Sequence, residues 1–213
     1  DWDRLAAGTI AGHILECGPQ CTGGNFSRWW EVPDLWNVGY PIVEMEEDGA
    51  FVVTKHAGSG GMVTVDTVAE QLLYEMGDPQ AYITPDVVAS FASIQLQQEG
   101  PDRVRVWGIR GAPPTDFLKV SASMAQGHKA SGAVIVSGPE ARAKSEAFAG
   151  ILWRRLPEYE EKLAEYVGAD ACWGPLSPTH EASEIYLRFG VRDDDRAKVE
   201  AFSRMLPALI LSG

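Results

Sequence analysis

Two short apolar runs, Ile42 to Met45 and Ala50 to Thr54, are joined by an acidic turn around Asp48-Gly49. Asp-Gly between apolar runs is a strong hairpin signal, because the turn that suits two twisted strands needs positive φ at its centre. A hairpin is antiparallel by construction, so this dipeptide constrains the sheet before any other element is placed. Ser93 to Gln98 and Arg103 to Gly108 repeat the pattern around Glu99-Gly100-Pro101-Asp102 and predict a second hairpin. Arg105 and Arg110 flank Trp107 there, an alternation that reads as the solvated side of a strand.

Helices are expected around these strands. Asp1 to Leu15 carries Leu5, Ala6, Ile10, Ile14 and Leu15 at helical spacing, with Asp1 or Asp3 as cap and Gly18-Pro19 as stop. His13 is expected to face away from Ile10 and Ile14, as a surface or hydrogen-bonded residue. Thr64 is placed to cap a second helix, with Asp66 in its first turn. Its apolar stripe is Val65, Val68, Ala69, Leu72, Leu73 and Met76, and Gly77 closes it. Asp78-Pro79 and Thr84-Pro85-Asp86 read as turns.

Ala112-Pro113-Pro114-Thr115 is the best internal boundary, dividing the chain into residues 1–113 and 114–213. In the second part Phe117 to Met124 and Ala130 to Ser137 read as strands around a Gln126-Gly127-His128 turn. Gly138-Pro139-Glu140 then opens a helix, with Pro139 in its first position and Ala143, Ala147, Phe148, Ile151 and Leu152 as stripe. Pro157 interrupts it, and a further helical segment runs from Glu158 to about Val167. Glu184 to Val191 alternates as a strand. Asp193-Asp194-Asp195 caps a last helix through Met205, a helix-dipole arrangement rather than a metal site. After Pro207, Ala208 to Leu211 has the length of a buried strand. Strand–strand–helix–strand–helix predicts an α+β or α/β sandwich, a mixed, largely antiparallel sheet with helices packed on it.

Composition excludes several classes of function. With a formal net charge of −12 and no basic stripe, the chain is a poor partner for nucleic acid. No apolar run approaches the roughly 18 residues of a membrane helix. Cys17, Cys21 and Cys172 are an odd number of thiols, which argues against a disulfide framework and for a reducing cytoplasm. Cys17-x-x-x-Cys21 lacks a second ligand pair at zinc-site spacing, so no metal is expected. His180-Glu181 and Cys172 lie near one another in sequence without forming a nucleophile–base–orienter pattern. The chain starts at a helix-capping residue and stops at Ser212-Gly213, which reads as a piece of a longer polypeptide.

Two glycine-rich stretches remain as the candidate site. The first runs from Glu16 to Asn25, with Gln20, Thr22, Gly23 and Gly24 offering amide, hydroxyl and bare backbone groups. Cys17 follows a helix C-terminus, the wrong end to stabilise a thiolate, which favours Glu16 as the reactive group. The second stretch, Lys55-His56-Ala57-Gly58-Ser59-Gly60-Gly61, leads from a strand into the helix capped by Thr64. A glycine loop before a helix N-terminus can hold phosphate or carboxylate, or can simply be a tight turn. It matches neither the dinucleotide-binding nor the P-loop pattern. Lys55 can supply charge there and His56 a proton. Phe26, Trp29, Trp30, Trp36 and Tyr40 fall close by; such a cluster packs a core first, and otherwise walls a ligand pocket or an oligomer contact.

Several motifs resemble one family. They are Gly12-His13-Ile14-Leu15-Glu16-Cys17-Gly18, Thr22-Gly23-Gly24-Asn25-Phe26, Gly39-Tyr40-Pro41-Ile42, and Phe51-Val52-Val53-Thr54-Lys55 followed by Gly60-Gly61. Thr67-Val68-Ala69-Glu70-Gln71-Leu72-Leu73-Tyr74-Glu75-Met76-Gly77-Asp78-Pro79 and Pro85-Asp86-Val87 belong with them. Together they resemble the acyclic terpene utilisation protein A (AtuA) family, densely to about residue 137 and more thinly beyond. Members of that family are longer, so the resemblance implies that an amino-terminal domain is missing here. It also implies a cytoplasmic protein of citronellol or geraniol catabolism, whose substrates are branched acyl-CoA thioesters and related terpenoid acids. No catalytic residue carries over from it. The expectation is a protein that acts on or binds such a CoA thioester or related acid, as an enzyme of lyase or hydratase type or as a small-molecule binding module; the alternative is a non-catalytic scaffold or homo-oligomeric subunit of the same pathway.

Overall fold

The computed structural model describes residues 1–118, 120–179 and 181–212. Four helices and three antiparallel sheets give a mixed α+β class, as the hairpins predict. The chain forms two compact units, Asp1–Ser121 and Ala122–Gly213.

In the first unit, α1 (Trp2–Glu16) is capped by the Asp1 carboxylate, which accepts from the Asp3 amide at 3.0 Å. Both expected hairpins form. β1 (Pro41–Met45) pairs with β2 (Phe51–Lys55), and β5 (Gln95–Gly100) with β6 (Arg103–Trp107), giving a sheet ordered β1-β2-β6-β5. The arginines on β6 lie on its wet face. Arg103 reaches Glu44 at 2.6 Å and Arg105 reaches Glu46 at 2.7 Å, each spanning the intervening β2. Thr64 caps α2 (Val65–Leu73) in a reciprocal pair with Thr67. The core joins Ile10 and Ile14 of α1, Val68 and Leu72 of α2, and Phe51, Val53, Val104 and Val106 of the sheet.

Two expectations for this unit are corrected and one is narrowed. The second helix stops at Leu73, short of Met76 and Gly77: Tyr74 is already extended and Glu75 takes a positive φ of 51°. Leu73 is exposed, and Gln71 is buried beside Val68 and Leu72. His13 takes the hydrogen-bonded of its two expected settings and is only 5% exposed, because α1 is packed on more than one side, by α2 and by β4 (Val88–Ser90) and β7 (Arg110–Ala112). Its ring Nε2 donates to the Gln71 carbonyl at 3.0 Å, and the Gln71 amide donates to the His13 carbonyl at 2.7 Å. The edges of Tyr82 and Phe91 close over the ring. The stretch expected to hold only turns also contains β3 (Tyr82–Ile83), which with β4 and β7 makes a small third sheet.

The second unit is built on β10 (Glu184–Asp193), whose residues alternate strictly until its end. Ile185, Leu187, Phe189 and Val191 are buried against α3 (Ala141–Arg155) and α4 (Arg196–Leu209). β10 lies between β8 (His128–Ser137) and β9 (Glu161–Val167), antiparallel to both. Strands β8 and β9 therefore run the same way, joined through α3 with β10 inserted between them, a split βαβ arrangement.

Four expectations for residues 114–213 are corrected. Glu158 to Val167 is not a helical continuation, because residues 161–167 pair with β10 as β9. Glu, Lys, Leu and Ala favour helix locally, but pairing with a central strand overrides a propensity of only tenths of a kcal/mol per residue. Phe117 to Met124 forms no strand among the described residues, and Phe117, Leu118, Val120 and Met124 are exposed. The order thus becomes strand–helix–strand–strand–helix. Pro139 precedes α3 instead of opening it, with Glu140 as the cap residue. Finally, α4 continues through Pro207 to the buried Leu209, so Ala208 to Leu211 is no strand. Asp195 caps this helix, as the aspartate run predicts, accepting from Ala197 N at 2.8 Å.

Candidate functional site

The two glycine stretches meet. The first folds into a short 3-10 turn, Gly18–Thr22, ended by Gly23 at φ 98°. Thr22 is fully buried; its hydroxyl donates to the Gly39 carbonyl at 2.7 Å or to that of Pro19 at 3.0 Å, and its carbonyl accepts from Met62 N at 2.8 Å. The second stretch is sewn to the segment around Trp36. Gly60 N donates to Asn37 O at 2.6 Å, Gly60 O accepts from Asp34 N at 2.9 Å, and the Asn37 side chain reaches Gly58 O. We call this assembly the clasp.

Its glycines are explained by crowding. A Cβ on Gly61 would collide with the backbone carbonyls of Val38 and Thr22, and one on Gly60 with Asp34. A Cβ on Gly24 would meet Pro19 O at 2.9 Å, and one on Gly23 would meet Val32 at 2.8 Å. Of the clasp glycines only Gly58 faces open space, with φ at 81°. The amides of Ser59, Gly60 and Met62 and the Thr64 cap are already engaged with protein acceptors, so an anion would have to compete with those bonds.

The polar candidates divide by position. Lys55 has a side chain 9% exposed; its ammonium donates to Ser59 O at 2.7 Å and lies 3.4 Å from Asp102. Asp102 also accepts from Val63 N, so Lys55 and Asp102 pin both ends of the glycine loop. Ser59 donates its hydroxyl to His56 O at 2.9 Å. The His56 and Asn25 side chains stay exposed, and Gln20 is half-buried. Glu16 is exposed and Cys17 half-buried where α1 ends. The Tyr74 hydroxyl nearby is held above its usual pKa by Glu75 first, then by Cys17, burial and Glu16. That corner is rich in negative charge, a setting that disfavours a further anion. Cys21 is buried and its thiol is pushed up to about 12, so it stays protonated.

Around the clasp lies a feature that the sequence pattern assigned first to core packing. Trp29, Trp30 and Trp36 are 58%, 64% and 100% exposed, and Leu35 and Tyr40 are exposed beside them. The first two indoles meet edge to face at 6.0 Å. Arg28 bonds Asp66 of α2 and Glu31, tying that turn down, while Trp36 sits between the two residues that bond Gly60. The aromatic rings therefore stand on a hydrogen-bonded frame, in which Trp29 and Trp30 bury part of their surface and Trp36 none. An exposed aromatic patch of this kind marks a binding surface more often than a packing accident.

Elsewhere the chemistry is sparse. An open groove on the wet face of β8, β9 and β10 is lined by Glu161, Leu163, Glu165, Arg188 and Arg192. Its arginines are already paired, Arg188 with Glu165 at 2.5 Å and Arg192 with Glu160 and Glu161 at 2.9 Å. Cys172 is exposed in a loop, and His180 lies outside the described residues. Among the described residues no three His, Cys, Asp or Glu side chains are grouped to hold a metal ion, and no helix is long and apolar enough to cross a membrane.

Neither the curated proteins nor the solved structures contain a match to this chain. A family match does exist, and it covers residues 1–213, including both glycine stretches, the aromatic span and the whole second unit. The chain therefore belongs to the acyclic terpene utilisation family, AtuA.

Proposed function

We propose that the protein serves acyclic terpene catabolism by binding a branched acyl-CoA thioester, or the related terpenoid acid, at the clasp. The observation that carries this reading is the exposed aromatic rim on a hydrogen-bonded, crowded glycine frame. A branched isoprenoid chain is apolar and flexible, and flat indole faces bury it without demanding directional bonds. Trp29, Trp30, Trp36 and Tyr40 hold the chain in this reading. Gln20, Asn25 and His56 receive the carboxyl or thioester end, and the backbone of Gly58 and Ser59 forms the floor beside them. His56 and Glu16 are the candidate proton carriers and Cys17 the candidate nucleophile, should the bound thioester react. Family membership supports the terpenoid class of the ligand.

A second reading, a non-catalytic scaffold or oligomeric subunit, is favoured by the complete exposure of Trp36. Tryptophan is enriched at the centres of protein interfaces. Titration with geranyl-CoA, citronellyl-CoA, citronellic acid and CoA alone, followed by indole fluorescence and calorimetry, separates the two. The ligand reading expects saturable binding of the branched compounds, weaker binding of CoA alone, and at least a tenfold loss in Trp30→Ala and Trp36→Ala. Absence of binding, together with self-association that Trp36→Ala abolishes, selects the scaffold.

A further inference from the structure

The second unit has an open sheet edge. Strand β8 pairs with β10 along ten residues on one side, and among the described residues no strand pairs with its other side. Even-numbered residues of β8 point toward the helices, yet Ala130, Gly132, Val134 and Val136 are only half-buried, because no described strand lies beside them. Ile135, on the opposite face, is 70% exposed.

The two edges of this sheet differ in their side chains. On β9, Glu161, Lys162 and Glu165 bring charge to the edge, the usual protection against unwanted pairing. On β8, the run Ala130-Ser131-Gly132-Ala133-Val134-Ile135-Val136-Ser137 carries no charge at all. A long, neutral, β-branched edge is a template for another strand.

The charges at the two ends of β8 identify the partner. Lys129 begins the wet face at one end; at the other end Ser137 lies beside Glu184 of β10 on the same face. Among the described residues neither Lys129 nor Glu184 has an ion-pair or hydrogen-bonded side-chain partner, although the other arginines and carboxylates of that face pair closely. Within one copy they stand at opposite ends of the strand and cannot meet. In an antiparallel pairing of two copies about a two-fold axis at Ala133, Lys129 of one copy falls opposite Ser137 of the other. Glu184 is then one strand further in, about 10 Å away at two strand spacings. Lysine and glutamate side chains span that gap across a small serine. The first unit shows the same reach, where Arg103 and Arg105 bridge across β2 to Glu44 and Glu46. The two-fold axis makes the contact twice.

We propose that β8 is a self-association edge, at which a second copy of this chain adds antiparallel, joining two three-stranded sheets into one and pairing Lys129 with the partner's Glu184. This contact is separate from the aromatic clasp and does not depend on the ligand assigned to it.

The test is sedimentation equilibrium combined with amide hydrogen exchange of the full chain over a hundredfold concentration range. A dimer is expected whose formation protects amides of β8 in step with concentration. Ile135→Lys, which leaves the helix-facing core untouched, is expected to weaken dimerisation at least tenfold with an unchanged circular dichroism spectrum. Lys129→Glu is expected to weaken it, and Lys129→Glu combined with Glu184→Lys to restore it. A monomer at all concentrations overturns the proposal, whether β8 exchanges freely or is protected by another segment of its own chain. A dimer indifferent to these substitutions overturns it as well.

Discussion

Gly61→Ala tests the reason given for the glycines in the clasp. Gly61 does not have a positive φ, so alanine meets no backbone penalty there and the effect is purely one of space. The added methyl collides with two backbone carbonyls, those of Val38 and Thr22, neither of which can rotate away as a side-chain tip would. Forcing a methyl into a packed site costs about 1–3 kcal/mol, and loss of the Met62 N–H to Thr22 O bond adds about 0.5–1.5 kcal/mol. Reduced freedom of the unfolded chain returns about 0.4–1 kcal/mol, leaving a net destabilisation of about 0.5–4 kcal/mol. Gly12→Ala is the internal control. Gly12 lies within α1, and a methyl there would meet nothing within 4 Å, so alanine should stabilise by about 0.5–1 kcal/mol. Urea unfolding followed by tryptophan fluorescence measures both. A Gly61→Ala protein as stable as the parent would refute the clasp as described.

Three further outcomes are expected. The three thiols should react with an aromatic disulfide reagent in order of access: Cys172 fast, Cys17 slower, and Cys21 only on unfolding, because burial keeps it protonated. Phe189→Ala should cost about 3–5 kcal/mol, since its ring is fully buried beneath Phe148 and Trp153; calorimetric or urea unfolding of the second unit's transition checks this. Asp193 has its pKa lowered by the Asp195 amide, then by Lys198 and the Glu160 amide. Its stabilising contribution is therefore complete above the unfolded value of about 3.9 and is lost as pH falls through the lower folded value. Acid titration of stability should show this loss in the parent and not in Asp193→Asn.

Local signals made half of this fold readable. Asp48-Gly49 and Glu99–Asp102 mark their hairpins, Thr64 and Asp195 cap their helices, and β10 alternates because one face is buried and the other wet. What failed was decided by partners distant in sequence. Residues 161–167 become β9 only because β10 needs a second neighbour, and no local propensity records that. His13 is buried because α1 is packed on more than one side, which a single apolar stripe cannot reveal. Both glycine stretches were recognisable as candidates, but the way they meet was not: crowding by Thr22, Asp34 and Val38 is invisible until those residues come together. The tryptophans mislead for the opposite reason. Their size implies a core, while Asp34 and Asn37 hold the backbone and leave the indoles outside.

The seven indole N–H groups give the most direct reading of the central claim. Nuclear magnetic resonance of 15N-indole-labelled protein, titrated with citronellyl-CoA, reports each of them separately. The signals of Trp29, Trp30 and Trp36 should shift together with one saturation curve, while those of Trp107, Trp153 and Trp173 stay in place. Shifts confined to the latter group, or none at saturating ligand, would contradict a terpenoid-binding clasp.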